Sequence, residues 1–153
     1  MKMKLLTLLL ILVIPGIKLF ANEPDSAYLF AYTTEKHNNT AGLHYAWSLD
    51  NENWHGIGPE FRFLFSDFGA WGSQKKMINP FLFQDETGTW HSFWTLNDEV
   101  GQFAHTSTND LHTWISQSYP EVMEPGNVLD LEVSFDANKK KYRITWLSEV
   151  DGK

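Results

Sequence analysis

The chain has 153 residues, a formal net charge of −7 at pH 7 and a heavy aromatic load of seven Trp, five Tyr and eleven Phe. Its acidity argues against phosphate backbones and anionic lipid surfaces as partners, because both would repel it. The absence of cysteine excludes a disulfide framework, a thiolate nucleophile, a Cys-based zinc site and a lipid attached to an N-terminal cysteine.

At the start, Lys2 and Lys4 precede an unbroken apolar stretch from Leu5 to Ile14, followed by Pro15, Gly16 and a small residue at Ala21. This is the pattern of a secretory signal peptide over residues 1–21. A membrane-spanning helix needs roughly 20 apolar residues, and this stretch is interrupted after ten by Pro15, Gly16 and Lys18. Cleavage after Ala21 removes Lys2, Lys4 and Lys18 and takes the net charge from −7 to −10. The mature chain is predicted to be secreted or periplasmic, the product of a bacterial exporter, with no membrane association after cleavage. N-terminal sequencing of exported material should read from Asn22 or close to it, and a retained Met1 would contradict this reading. Residues 22–153 suffice for one domain, since domains cluster near ~100–150 residues.

After this segment no 3.6-residue apolar period persists, whereas short aromatic and β-branched runs bounded by turn residues recur, which predicts strands. Three runs share one spacing: Tyr28-Leu-Phe-Ala-Tyr32, Trp90-His-Ser-Phe-Trp94 and Tyr142-Arg-Ile-Thr-Trp146. Each puts an aromatic at both ends of a five-residue strand, on one face. The second and third runs follow matching hairpin elements, Phe81–Asp85 with turn residues Thr87-Gly88, and Leu131–Asp136 with turn residues Ala137-Asn138. Ser48–Trp54 and Thr108–Trp114 align without a gap at a separation of 60 residues.

The aromatic strands begin 62 and then 52 residues apart, close to the length of one four-stranded propeller blade. The predicted architecture is therefore all-β, an incomplete five-bladed β-propeller of about two and a half blades of four-stranded antiparallel sheet. A small β-sandwich with coincidental aromatic spacing is the alternative. The propeller reading predicts an open sheet edge and an uncovered blade face.

Three stretches between Tyr28 and Glu149 jointly resemble bacterial proteins related to glycoside hydrolase family 43. They are Gly42-Leu-His-Tyr-Ala-Trp-Ser48 running into Asp50 and Trp54; Met77-Ile-Asn-Pro-Phe81 running through Gly88–Thr95; and Asp110-Leu-His-Thr-Trp114 followed by Leu131–Asp136. The resemblance implies that 22–153 is the N-terminal part of a propeller acting on arabinose-, xylose- or galactose-containing glycans. It also implies inversion by an Asp base and a Glu acid, separated to leave room for water. The family's base falls on Ile78-Asn79-Pro80, where Asn79 replaces the carboxylate. An amide can hold a water but cannot deprotonate it near neutral pH. Asp130-Leu131-Glu132 falls where relatives carry an acidic segment, so Glu132 keeps a carboxylate there, as readily a strand residue as a pocket one. Asp67 and Trp71, in a long aromatic loop before the Asn79 strand, are candidate substrate-binding residues, as are His91 and Trp94 on the matched strand.

Asp50, Asp85, Asp110 and Asp136 sit in predicted turns, where such side chains bond their own backbone. The six histidines show no spacing that sets two imidazoles on one metal; neither a metal nor another cofactor is expected. Three functions remain open: a glycosidase-like protein inactive as given, a non-catalytic glycan binder in which Trp47, Trp71 and Trp94 stack on sugars, and an inactive fragment.

Overall fold

The structure is a computed structural model that describes residues 25–70, 75–97, 101–123, 126–136 and 138–148. Residues 1–21, where a signal segment is expected, and Trp71 lie outside these residues. The described chain is all-β and contains no helix. Its strands are β1 (Tyr28–Tyr32), β2 (His44–Ser48), β3 (His55–Ile57), β4 (Ile78–Gln84), β5 (Trp90–Thr95), β6 (Phe103–Thr108), β7 (Leu129–Asp136) and β8 (Lys141–Leu147). They form three small antiparallel sheets, here sheet 1 (β1-β2-β3), sheet 2 (β4-β5-β6) and sheet 3 (β7-β8), none of which closes on itself.

The repeat read from the sequence has a structural counterpart. Tyr28 pairs with Ser48 across β1 and β2, as Trp90 pairs with Thr108 across β5 and β6. Each of these strand pairs runs into the same turn. Ser48 and Thr108 each donate their hydroxyl at 2.8 Å to the carboxylate two residues on. Asp50 then accepts the N–H groups of Glu52 and Asn53, and Asp110 those of His112 and Thr113. These bonds, led by Asn53 N–H on Asp50 and Thr113 N–H on Asp110, hold both carboxyls well below the usual carboxylate range. Asp85 and Asp136 likewise accept backbone N–H groups just downstream of themselves. All four aspartates thus serve their turns.

Two strands start earlier than their apolar patterns predict. β4 reaches back to Ile78 and β7 to Leu129, because a β-bulge interrupts each one after its first residue. Ile78 faces Thr95 and the next aligned pair is Phe81–Phe93; Leu129 faces Leu147 and the next is Glu132–Thr145. A bulge puts an extra residue opposite the partner strand and shifts the period of two, so a strict alternation search stops there.

The core lies in two seams. Between sheets 1 and 2, Leu43, Tyr45, Leu64, Met77, Trp94, Leu96 and Ala104 form one buried cluster. Between sheets 2 and 3, Phe93, Phe103, Val128 and Leu131 form a second, with Ile144 and Trp146 of β8 packed against it. Sheet 2 is the middle layer, which is why β5 and β6 are the most deeply buried strands. Among the described residues nothing covers the outer face of sheet 1: Tyr28 is 54% exposed and Phe30 52%, with Trp54 leaning on Phe30 at 5.5 Å between centroids. The corresponding residues of sheet 2, Trp90, Ser92 and Trp94, occupy the face turned to sheet 1, where Trp94 is fully buried.

The 61–64 segment is tied to β2 by Leu43 N–H donating to Leu64 O at 2.7 Å and Phe63 N–H to Leu43 O at 2.9 Å. Gly42 makes this approach possible: its φ is +86°, and a Cβ there would lie 2.4 Å from the Leu64 carbonyl oxygen. Gly42→Ala is expected to cost about 1–2 kcal/mol from the left-handed backbone alone and more from the overlap, lowering the denaturant midpoint. An unchanged midpoint would contradict this account of the loop.

Candidate functional site

The two bulges lie side by side where sheets 2 and 3 meet. Asn79 and Asp130 are the bulge residues that follow Ile78 and Leu129, and both have φ of +46°. Asn and Asp tolerate the left-handed region better than other residues with a Cβ, because their short polar side chains bond locally. Here those side chains bond each other: Asn79 Nδ2 donates to Asp130 Oδ1 at 2.5 Å. Opposite the bulges stand Trp94 and Trp146, the closing aromatics of the repeated strands. Position by position, Asp130 is thus the counterpart of Asn79, and Glu132 that of Phe81.

The pair sits in a solvent-open cleft of about 640 Å³ lined by Asn79, Pro80 and Phe81 from β4, Asp130, Leu131 and Glu132 from β7, and Thr145, Trp146 and Leu147 from β8. Leu131 is buried beneath it, while the Asn79, Asp130 and Glu132 side chains are exposed. The cleft therefore presents an amide, two carboxylates and a hydroxyl to solvent beside an indole wall.

Of the residues singled out from the sequence, Asn79 and Glu132 share this cleft, and four others are placed elsewhere. Asp67 holds the 61–70 loop against the 115–119 segment. Its carboxylate accepts the Tyr119 hydroxyl, and its N–H donates to Gln117 Oε1 at 3.1 Å. Gln117 in turn donates to Phe65 O at 2.7 Å. Trp94 is fully buried in the first seam and offers no face to a ligand. His91 lies in the second seam, hydrogen-bonded to Asp85 and His105 rather than open to the cleft. Trp47 is 38% exposed and packs on His55 at 5.0 Å.

Asp130 is the site residue that sequence reasoning passed over, although the signal was present. Aligning Ile78-Asn79-Pro80-Phe81 with Leu129-Asp130-Leu131-Glu132 pairs the two polar residues one position after the strand start, whereas the acidic segment implied by the family resemblance favoured Glu132. Compared with known proteins, the chain matches no family model, no curated protein and no solved structure.

Proposed function

We propose that this chain is an exported glycan-handling protein of the propeller class, acting on arabinose-, xylose- or galactose-containing glycans, and that the Asn79–Asp130 cleft is its sugar site. On this reading the three sheets are consecutive blades. The stacking of sheet 2 against both neighbours and the duplicated Ser/Thr-x-Asp turns support it. The observation that carries the functional reading is the cleft itself: amide and carboxylate groups at the blade seam suit the donors and acceptors of sugar hydroxyls, and Trp146 supplies an apolar wall.

Binding without hydrolysis is the better supported form. At the position where the resembled family carries its base stands Asn79, whose amide donates to Asp130 and has no basic oxygen to offer. Restoring a carboxylate there would not rebuild an inverting pair. Asn79 and Asp130 are in direct hydrogen-bond contact, whereas inversion needs carboxyl groups ~6.5–9.5 Å apart with water between them. Neither the wild type nor Asn79→Asp is therefore expected to turn over any aryl arabinoside, xyloside or galactoside. A second reading, hydrolysis by Asp130 and Glu132, is favoured by their sharing one cleft. Turnover by the wild type that disappears in Glu132→Gln would select it and overturn the binding-only account.

A further inference from the structure

The face of sheet 2 turned toward sheet 3 carries a chain of polar side chains that the cleft does not use. Asp85 Oδ2 lies 3.3 Å from His91 Nε2, His91 Nδ1 lies 2.9 Å from His105 Nε2, and His105 Nδ1 lies 3.4 Å from Ser118 Oγ. The register explains the contact: Phe93 is opposite His105 and Ser107 is opposite His91, so the two histidines are diagonal neighbours on one face. Their rings stack at 5.3 Å and are bracketed by Phe83, 5.1 Å from His91, and Phe93, 4.5 Å from His105.

The proton count of this chain follows from donors and acceptors. The Thr87 hydroxyl, with backbone N–H groups behind it, holds the Asp85 carboxyl down at about 2, so the carboxylate only accepts and His91 Nε2 must carry a hydrogen. With both rings neutral, His91 Nδ1 accepts from His105 Nε2–H, and the Ser118 hydroxyl is shared between His105 Nδ1 at 3.4 Å and the His105 carbonyl oxygen at 3.2 Å. One added proton is accommodated by reversal: His91 Nδ1–H donates to His105 Nε2, and His105 Nδ1–H turns to the Ser118 oxygen. A second added proton has no such arrangement, because two N–H bonds would meet head-on across 2.9 Å and two charges would share a half-buried seam.

We propose that His91 and His105 form a one-proton acid switch on the seam between sheets 2 and 3, in which uptake of a second proton separates the rings and releases sheet 3. Sheet 3 rests on the same ring stack: Phe83 meets Tyr142 of β8 at 5.3 Å, and the Tyr142 hydroxyl accepts the Glu86 N–H at 3.3 Å. The groups around the pair offer a second proton no compensation. Asp85 is already bonded to His91, Tyr142 is a neutral phenol, and β7 brings apolar Val133 to the seam. Glu121, on the segment of Ser118, bonds Gln102 at 2.9 Å, and Asp136 at the far hairpin is paired with Arg143 and Lys139. Burial, and secondarily His91 beside it, push the His105 imidazole down to about 4. The unfolded chain protonates both histidines below about 6.5, so it binds more protons than the folded chain at lower pH. The contribution of His105 to stability is therefore complete above about 6.5 and is lost as the pH falls toward about 4. Because the Asn79–Asp130 bond spans the same seam, its release would open the cleft whatever ligand the cleft takes.

The test is an NMR titration of the whole chain with ¹⁵N-labelled imidazoles. The expected result is that His91 and His105 share one protonation step. The second step should begin only near pH 4, together with loss of the Phe83–Tyr142 ring contact and of amide protection in β7 and β8. His105→Gln keeps a donor and an acceptor but takes no proton, so it should move the loss of the seam down by about one pH unit or more. Should that variant fail to fold, the wild-type titration decides by itself. Two independent steps near 6.5 with the seam intact below pH 4, or seam loss at an unchanged pH in the variant, would overturn the proposal.

Discussion

Trp94→Ala is expected to destabilise the chain by about 3–5 kcal/mol, which is a large part of the ~5–15 kcal/mol that holds an ordinary domain folded. Trp94 is fully buried and packs with Leu43, Tyr45, Leu64, Met77, Leu96 and Ala104, residues from the first sheet, the second sheet and the loops between them. Removing the indole leaves a cavity at the centre of the first seam that neighbours tied to two sheets can fill only partly. Its N–H meets no protein acceptor among the described residues, so Trp94→Phe sacrifices volume but no hydrogen bond to protein and should cost markedly less than the alanine change. Denaturant melts of the three proteins check the order; a mild alanine effect would contradict the packing of sheet 1 on sheet 2.

The same residue shows how far the sequence could be read. Tyr28, Phe30 and Tyr32 hold the same places in β1 as Trp90, Ser92 and Trp94 in β5, and both sets alternate alike, so the strands and their two faces were legible. What alternation does not encode is which face meets another sheet. Phe30 is 52% exposed while its counterpart Ser92 is fully buried, because sheet 2 has a neighbour on that side and sheet 1 has none among the described residues. The aspartate turns were legible for the opposite reason: Asp50 and Asp110 bond groups within three residues of themselves, so local spacing carries the whole interaction. Asn79 was found from its place in the motif, but its partner Asp130 lies 51 residues away and meets it only because two bulges shift both strands in the same way. The Asp85–His91–His105–Ser118 chain was illegible for the same kind of reason, since it depends on the register of β5 against β6 and on the segment carrying Ser118.

Asp130→Ala is expected to weaken sugar binding about tenfold to a hundredfold. A hydrogen bond to a charged group contributes roughly 1.5–3 kcal/mol, and each ~1.4 kcal/mol is a factor of ten in affinity. The alanine also removes the acceptor of the Asn79 amide and places a side chain less suited to φ of +46° at the bulge, so part of the loss comes through the shape of the cleft. Asp130→Asn retains an acceptor for Asn79 and tolerates the left-handed backbone, and should therefore lose less affinity and little stability. Titrations of both variants with the same oligosaccharide separate the charge of Asp130 from its structural role. Equal affinity in wild type and Asp130→Ala would remove Asp130 from the site.

The most direct measurement is a calorimetric titration of the wild-type chain with arabino-, xylo- and galacto-oligosaccharides, mapped in parallel by NMR shift changes. The account predicts saturable binding of at least one of them, without hydrolysis, with shifts concentrated at Asn79, Asp130, Thr145 and Trp146. No binding by any of the three, or binding whose shifts fall on the exposed Phe30 and Trp54 face of sheet 1 and leave Asn79 and Asp130 unmoved, would contradict it.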